Sequence, residues 1–281
     1  SGGFEHWLSK YDLSPSSRCG VETATLQLMA AERGVPMNRI ISDSPRDSVT
    51  VNGLLSNSRE SIPERATALS RKGFTAFKLK VGRESIAKEI DLTREVRQTV
   101  GNDAVLRLDA NRAWGIDNAI RFSDAVKDCS IDYIEEPVRD IRLLKGLLDK
   151  SNSLPIALDE SLLEIEPADL PVLAGIKAVV LKPMMLGFER AVLFARVAMD
   201  EGITPVISSS FESGTGLTAL AHLALSLGTG DIPAGLDTLD WFAEDLLSVS
   251  FPIRRGRIKA DELPDISRTI KLDYLINAND D

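Results

Sequence analysis

Apolar and polar positions alternate along residues 74–81 (Phe-Thr-Ala-Phe-Lys-Leu-Lys-Val), and this period of two predicts a β-strand. Its apolar side chains fall on one face, and those of Lys78 and Lys80 fall on the other. A helical pattern follows over residues 86–100, so we expect a βα unit whose strand is covered on both faces. Two ammonium groups on a covered face require carboxylates or a ligand anion as partners. The alternative is an edge strand with its lysines in water.

The same order of a short apolar strand, a loop and a helix repeats along most of the chain. Strands are predicted at residues 49–55, 74–81, 104–111, 132–138, 155–160, 178–184 and 204–210, with a weaker candidate at 236–239. Helices are predicted at residues 21–32, 62–72, 86–101, 116–129, 141–150, 167–174, 188–201 and 216–227. The strands begin roughly every 23 to 32 residues, which is typical of βα units in one parallel sheet.

Seven or eight such units that close on themselves form a (β/α)₈ TIM barrel, and this α/β barrel is the predicted fold. A doubly wound open sheet is the alternative. The sequence favours it less, because no glycine fingerprint for a dinucleotide or a phosphate follows the first strand. We assign residues 1–45 to a lead-in segment with a helix, 46–247 to the barrel, and 248–281 to a C-terminal segment packed outside it.

Composition limits the partners that the chain is expected to bind. The 281 residues are 43% hydrophobic, enough for one large domain, and the net charge of −9 argues against nucleic acid or an anionic membrane. No apolar run reaches the roughly 20 residues that a membrane span needs. Cys19 and Cys129 form no metal or redox motif, which indicates free thiols in a reducing compartment. Residues 1–3 (Ser-Gly-Gly) indicate a tag remnant or a cut in a longer chain.

Polar residues interrupt the predicted strands near their carboxyl ends. Strand alternation puts them inside the barrel and leaves an apolar outer face towards the helices. The carboxyl ends of barrel strands form the mouth, where barrel enzymes hold their catalytic groups. The residues that share this position are Lys78, Lys80, Asp109, Asn111, Glu135, Asp159, Lys182, Ser208 and Ser210.

Three of these residues, Asp109, Glu135 and Asp159, are carboxylates on successive strands. Carboxylates that converge repel one another unless they bind a cation, and oxygen ligands without His or Cys suit Mg²⁺. A substrate carboxylate on such a cation becomes more acidic at its α-carbon, and a lysine crowded by cations has a lowered pKa and can take that proton. The alternative is that each acid is a separately solvated loop residue.

Five short motifs, in this order along the chain, resemble the enolase superfamily in its muconate-lactonizing-enzyme-like subgroup. They are Lys78-Leu79-Lys80, Asp109-Ala110-Asn111, Glu135-Glu136-Pro137, Asp159-Glu160-Ser161 and Lys182-Pro183. Two further stretches, residues 208–218 and 235–239, are similar to the o-succinylbenzoate synthase family, and residues 15–22 resemble the segment that leads into its barrel.

The resemblance implies a role for each matching residue. It implies Mg²⁺, with Mn²⁺ as an alternative, held by Asp109, Glu135 and Asp159; the second acid of the motif, Glu136, is not expected to be a ligand because the inward face holds only one. Lys80 would move the α-proton and Lys182 would stabilise the anion that forms. Asn111 would lie beside the metal, and Ser208, Ser210 and Gly235 would bind the second carboxylate of the substrate. The position of Lys78, two residues before Lys80, separately predicts that its charge helps to keep the pKa of Lys80 low.

The implied activity is a Mg²⁺-dependent carbon–oxygen lyase of menaquinone or phylloquinone biosynthesis. It would act on a small dicarboxylate, converting 2-succinyl-6-hydroxy-2,4-cyclohexadiene-1-carboxylate to o-succinylbenzoate by syn dehydration. N-succinylamino acid racemases share the two lysines and the metal, so that activity is an open alternative. A third hypothesis is a non-catalytic barrel module of a larger polypeptide. A decayed site should have lost at least one of five charged residues, and all five are present: Lys80, Asp109, Glu135, Asp159 and Lys182.

One departure from the family concerns the N-terminal α+β domain that covers the barrel mouth in its members. Only residues 1–13 precede the part of the chain that resembles the family's entry into the barrel, so most of this capping domain is expected to be absent. A separate cap segment or a fusion partner is the implied supplement. The expected location is the cytoplasm, or the plastid in a photosynthetic eukaryote.

Overall fold

The computed structural model describes residues 8–149, 154–172, 175–227 and 231–274. The beginning of the predicted lead-in (residues 1–7), the ends of the predicted helices 141–150 and 167–174, and residues 275–281 of the predicted C-terminal segment lie outside the described residues. Among the described helices, none combines the length and the apolar character that crossing a membrane requires.

Helices and strands alternate through most of the chain. The α-helices are α1 Pro15–Arg33, α2 Asn38–Ile41, α3 Ile62–Arg71, α4 Ile86–Val100, α5 Ile116–Val126, α6 Leu144–Leu148, α7 Pro183–Leu186, α8 Phe188–Asp200, α9 Gly214–Ser226 and α10 Ile266–Thr269. The strands are β1 Ser48–Thr50, β2 Gly53–Leu55, β3 Ala76–Lys80, β4 Val105–Asp109, β5 Ile131–Glu135, β6 Ile156–Leu158, β7 Ile176–Leu181, β8 Thr204–Ile207 and β9 Arg257–Lys259.

Seven strands, β2 to β8, form one parallel sheet in sequence order. The peptide units of Ala234 and Gly235 join its two edges. Ala234 exchanges backbone hydrogen bonds with Thr50 and Asn52 (2.8 and 2.9 Å), and Gly235 does so with Ile207 and Ser209 (2.8 and 2.9 Å). The sheet therefore closes, with these two residues in the place of an eighth strand, and the predicted barrel is confirmed.

Two predicted strands differ from the structure at the point where the ring closes. The predicted strand 49–55 is two strands: β1 pairs antiparallel with β9 in the C-terminal segment, and β2 pairs parallel with β3. Only Val51 and Asn52 separate the two strands, and both strands are largely buried, so the sequence pattern does not reveal the change of partner. The predicted strand 236–239 is wrong: the bridging residues precede it, and a 3₁₀ turn, Leu239–Trp241, follows.

The predicted strand 178–184 is also too long. Strand β7 ends at Leu181, and Pro183 is the first residue of α7. Proline favours an extended residue before it and tolerates the first helical position, so Lys182 lies between the two elements.

The barrel separates two apolar regions. Leu106, Ile134, Val179 and their outward neighbours pack against the helices, whereas a smaller cluster fills the interior: Tyr133, Ala157, Ala178, Val180 and Val206. The guanidinium of Arg107 lies 4.8 Å from the centre of the Tyr133 ring. The alternation therefore works as predicted, with polar side chains directed inward above this apolar layer.

Helix α1 is attached to the barrel by a buried carboxylate. Oε2 of Glu22 accepts the backbone N–H groups of Phe188 and Glu189 at 2.7 and 3.1 Å, which caps α8 from another helix. Burial raises the pKa of Glu22, and this effect is larger than the lowering by the two backbone hydrogen bonds. Within the described residues, no α+β domain precedes the barrel.

Candidate metal centre and active site

Strand register brings the predicted charged residues together. Lys80 pairs with Asp109 across β3 and β4, and Asp109 pairs with Glu135 across β4 and β5. Asp159 directly follows β6, where the chain turns into a short 3₁₀ helix. One oxygen from each of Asp109, Glu135 and Asp159 lies within 4.8 Å of the others. The structure thus joins the three carboxylates that the sequence predicts as metal ligands.

Each carboxylate of this triad has a lysine partner. Lys78 Nζ lies 3.0 Å from Asp109 Oδ2 and 2.7 Å from Glu135 Oε2. Lys80 Nζ donates to the same Asp109 oxygen at 2.5 Å, and Lys182 is ion-paired with Asp159. All of these carboxylates are buried. The two lysines of β3 therefore have the carboxylate partners that a covered face requires, and the edge-strand alternative is wrong.

Burial and ion pairing act in opposite directions on these groups. Burial alone raises the pKa of Asp109, but Lys78 and Lys80 outweigh it and hold that pKa well below its usual range. Burial raises the pKa of Glu135 to about 8. The positive charge of Lys78 lowers this pKa by less than burial raises it, and the neighbouring carboxylates raise it further. Burial lowers the pKa of Lys78, yet the surrounding carboxylates leave it well above the ordinary value.

The triad fits a hard divalent cation. Three carboxylates supply oxygen ligands only, which suits Mg²⁺ or Mn²⁺ better than softer metals. Oε1 of Glu135 is buried and has no hydrogen-bond partner in the described part of the chain, so one ligand atom is available without breaking an existing bond. Asp109, Glu135 and Asp159 are the residues that could hold the ion.

Asn111 lies beside the triad, as the sequence predicts. Its Oδ1 accepts a hydrogen bond from Lys80 Nζ at 2.7 Å, and its Nδ2 donates to Glu160 Oε1 at 3.1 Å. Its backbone N–H donates to Asp109 Oδ1 at 3.1 Å. In this geometry Asn111 has a positive φ of 43°, a backbone conformation that asparagine tolerates better than most residues. Asn111 therefore orients both Lys80 and Asp109.

The predicted substrate-binding residues lie where β8 meets the closing segment. Ser208 and Gly235 form a bridge, and a Cβ atom at Gly235 would lie 2.5 Å from the Ser208 hydroxyl oxygen, so this approach requires glycine. The hydroxyl of Ser210 is buried without a partner among the described residues. Nearby, Glu212 Oε2 accepts from Ser209 Oγ at 2.5 Å and from the Ser210 N–H at 2.7 Å, which fixes this loop.

Sequence reasoning missed the residues that support the site from behind. Arg112, the residue directly after the predicted Asn111, binds Glu136 and Ser161 (3.0 and 2.7 Å). The signal that could have found them is Glu136, the second acid of Glu135-Glu136-Pro137, which the sequence analysis does not expect to be a metal ligand and to which it assigns no other role. Glu212 had no signal beyond its place in residues 208–218.

Comparisons with known proteins agree with the motifs. A family model described as enolase C-terminal domain-like matches residues 61–273. Protein PHYLLO, chloroplastic, of Arabidopsis thaliana is 35% identical over 298 aligned residues, covering 94% of this chain and 17% of that protein. The o-succinylbenzoate synthase of Thermobifida fusca (strain YX) is 31% identical over 231 residues, covering 79% of this chain and 71% of that enzyme.

Solved structures share the fold. The crystal structure of N-succinyl Arg/Lys racemase from Bacillus cereus ATCC 14579 matches with a TM-score of 0.83 at 26% identity, covering 95% of this chain and 72% of that one. The chain spans less than two thirds of several other known relatives, as it does of the Arabidopsis protein. Because the family match extends over residues 61–273 and the barrel carries the acidic triad, the chain belongs to the enolase superfamily, as an enolase C-terminal domain-like protein.

Proposed function

We propose that this protein is a Mg²⁺-dependent lyase that forms o-succinylbenzoate from 2-succinyl-6-hydroxy-2,4-cyclohexadiene-1-carboxylate in menaquinone or phylloquinone biosynthesis. The observation that supports it most is the buried triad Asp109, Glu135 and Asp159 with a lysine against each carboxylate. The similarity to an o-succinylbenzoate synthase and the motifs at residues 208–218 and 235–239 favour this substrate. Mn²⁺ is the alternative cation.

The three acids of the triad would hold the cation, which when bound would neutralise the charge that develops on the substrate carboxylate. Lys80, on the strand next to Asp109, takes the proton from the carbon adjacent to that carboxylate. Lys182, charged and paired with Asp159, stabilises the negative charge. Lys80 then gives its proton to the departing hydroxyl on the same face, so the substrate loses water and gains the ring double bond.

The remaining residues have supporting roles. Lys78 is only 6% exposed and lies behind Lys80 on the same strand, where it compensates Asp109 and Glu135 and adds positive charge near Lys80. Asn111 orients Lys80. Ser208, Ser210 and Gly235 bind the succinyl carboxylate, for which the Ser210 hydroxyl, without a hydrogen-bond partner in the described part of the chain, is a donor.

Racemisation of N-succinylamino acids is the second candidate. The racemase from Bacillus cereus shares the fold at 26% identity. Proton exchange on opposite faces requires two lysines, and Lys80 at the end of β3 and Lys182 directly after β7 would supply them. A non-catalytic barrel module is a weaker candidate, because every charged residue of the site is present and partnered.

We infer that a cap segment or a fusion partner covers the barrel mouth. The Arabidopsis relative is chloroplastic, and the chain covers only 17% of it, which is compatible with a fusion partner. A plastid location follows if the source is photosynthetic, and a cytoplasmic one otherwise.

The test is dehydration of the cyclohexadiene substrate followed by ultraviolet absorbance, with Mg²⁺ and with a chelator. We expect Mg²⁺-dependent turnover that Lys80→Ala lowers by at least about 100-fold. The matched control is Lys88→Ala: this lysine of α4 has a side chain 58% exposed and paired with Glu84, and its loss should leave turnover unchanged. Turnover that survives the chelator or Lys80→Ala contradicts the proposal.

A further inference from the structure

A second cluster of polar side chains lies in the loops that follow the three strands of the triad, on the side away from the triad. Arg112, Glu136 and Ser161 follow β4, β5 and β6 by one to three residues, as the triad acids end or follow the same strands. All three side chains contact one another. The cluster therefore joins the three loops on which the geometry of the triad depends.

The carboxylate of Glu136 is the centre of this cluster. Its Oε1 accepts the backbone N–H groups of Asp159 and Ser161, each at 2.8 Å. Its Oε2 accepts from the Ser161 hydroxyl at 2.8 Å and from Arg112 Nε at 3.0 Å. Glu136 is 1% exposed. Four donors thus surround a buried carboxylate, and two of them are peptide groups of the turn that carries Asp159.

Asp159 lies at the junction between β6 and the short 3₁₀ helix Glu160–Leu163, and its own N–H belongs to neither element. Asp159 has φ −133° and ψ −87°, outside strand and helix, and its N–H faces Glu136 rather than a neighbouring strand. The direction of the Asp159 side chain follows from the orientation of its peptide unit. Glu136 fixes that orientation by holding the N–H groups on either side of Glu160.

The backbone conformation directs the side chain of Glu136 away from that of its neighbour Glu135. Glu136 has φ 41° and Arg112 has φ 60°, both in the left-handed region that non-glycine residues rarely adopt. Such conformations persist where surrounding contacts determine them. Here they turn Glu136 away from the triad and into contact with Arg112.

The cluster also keeps the charge of Glu136 from adding to that of the triad. Arg112 pairs with Glu136 on one side and, through Nη1, with the half-exposed Glu164 at 2.5 Å on the other. A fourth uncompensated carboxylate so close to three others would raise their pKa values and attract a second cation. Arg112 removes this effect and binds Ser161 as well.

We propose that Glu136, held by Arg112 and Ser161, is the positioning residue of the cation site: it fixes Asp159 in the orientation that binds the metal. The proposal rests on the cation-binding part of the proposed function and not on the identity of the substrate. Residues behind metal ligands commonly contribute 10- to 100-fold to metal affinity, roughly the size expected here.

The experiment is a calorimetric titration of the full chain with Mg²⁺ at a temperature where each variant is folded by circular dichroism. Glu136→Gln keeps the size of the side chain but places an amide N–H₂ against Arg112 and the Ser161 hydroxyl. We expect its Mg²⁺ dissociation constant to rise by about tenfold or more. Glu164→Gln, which alters only the outer partner of Arg112, is the control and should stay within about twofold.

A purely structural role would give a different result, since it lowers the unfolding temperature of the metal-free protein without changing the Mg²⁺ affinity of the folded one. Ser161→Ala is the milder variant if Glu136→Gln does not fold, and it should weaken Mg²⁺ binding about fivefold. Unchanged affinity in the folded variants overturns the positioning role and leaves the proposed function intact. Absence of Mg²⁺ binding by the wild type overturns both.

Discussion

The ammonium nitrogen of Lys80 lies 2.5 Å from Oδ2 of Asp109, and the two residues are directly paired across β3 and β4. Lys78 reaches the same oxygen at 3.0 Å. The lysines thus compensate the carboxylates when no cation is bound. A cation bound at the triad would compete with Lys80 for Asp109, and this competition would link the proposed proton-transfer lysine to the affinity for the metal.

The first prediction concerns the two effects of removing Lys80. Lys80→Ala should abolish turnover yet tighten Mg²⁺ binding, by roughly two- to tenfold, because a positive charge that competes for Asp109 is lost. Calorimetric titration and the dehydration assay on the same preparation measure both effects. Weaker Mg²⁺ binding by the variant would show that Lys80 does not compete with the ion.

The second prediction concerns Asp109 itself. Asp109→Asn leaves Lys78 and Lys80 without their shared partner, and breaking such a buried pair should lower the free energy of unfolding by about 3 kcal/mol. Mg²⁺ binding should weaken by at least about tenfold, since a ligand is lost. Urea unfolding and calorimetry test these effects, with the exposed Asp124→Asn as the control. Equal stability of the two variants would contradict the ion-pair account.

The third prediction is a pH dependence of metal binding. With burial raising its pKa to about 8, Glu135 is mostly protonated at pH 7, and the proton must leave before the carboxylate binds a cation. Mg²⁺ affinity should therefore rise with pH up to about 8, by no more than about tenfold per pH unit. Titrations in buffers of different ionisation enthalpy should show proton release at pH 7. Affinity that is constant from pH 6 to 8 would contradict this.

The fourth prediction concerns His222 of α9, which lies away from the triad. It is 8% exposed, and burial lowers its pKa to about 4. The folded state thus favours the neutral imidazole, so its contribution is complete above the unfolded pKa of about 6.5 and is lost as pH falls through about 4. Between these values the wild type should lose up to about 3 kcal/mol more stability than His222→Gln.

Chemical unfolding of the wild type and His222→Gln at a series of pH values from 4 to 7 measures this difference. His6→Gln removes the other histidine of the sequence and is the control. Parallel stability curves for the wild type and His222→Gln would show that burial does not disfavour the charged imidazole.

The sequence was sufficient to predict the barrel and the meeting of its charged residues. Period-two alternation assigns Lys78, Lys80 and Asp109 to the inward face, and parallel strands in one barrel bring their ends to one mouth, so the ion pairs follow from local pattern and topology. No long-range information was needed for this part of the site.

Other features depend on contacts that no local pattern encodes. The stretch 49–55 (Val-Thr-Val-Asn-Gly-Leu-Leu) carries no signal that its two halves pair with different strands, β9 and β3, some 200 and 25 residues away. Two bridging residues take the place of the eighth strand, since the backbone groups of Ala234 and Gly235 are enough to complete the ring. The role of Glu136 depends on its positive φ and on two N–H groups of another loop. The residue type at position 136 indicates neither of these features.

The most direct test of the proposed function compares two reactions in one preparation of the Mg²⁺-loaded protein. Dehydration of 2-succinyl-6-hydroxy-2,4-cyclohexadiene-1-carboxylate is followed by absorbance, and racemisation of an N-succinylamino acid by polarimetry, each as kcat/KM. We predict that dehydration exceeds racemisation by at least about 100-fold, a difference of about 3 kcal/mol in the barrier. Racemisation that equals or exceeds dehydration, or no dehydration with Mg²⁺ bound, would contradict the assignment.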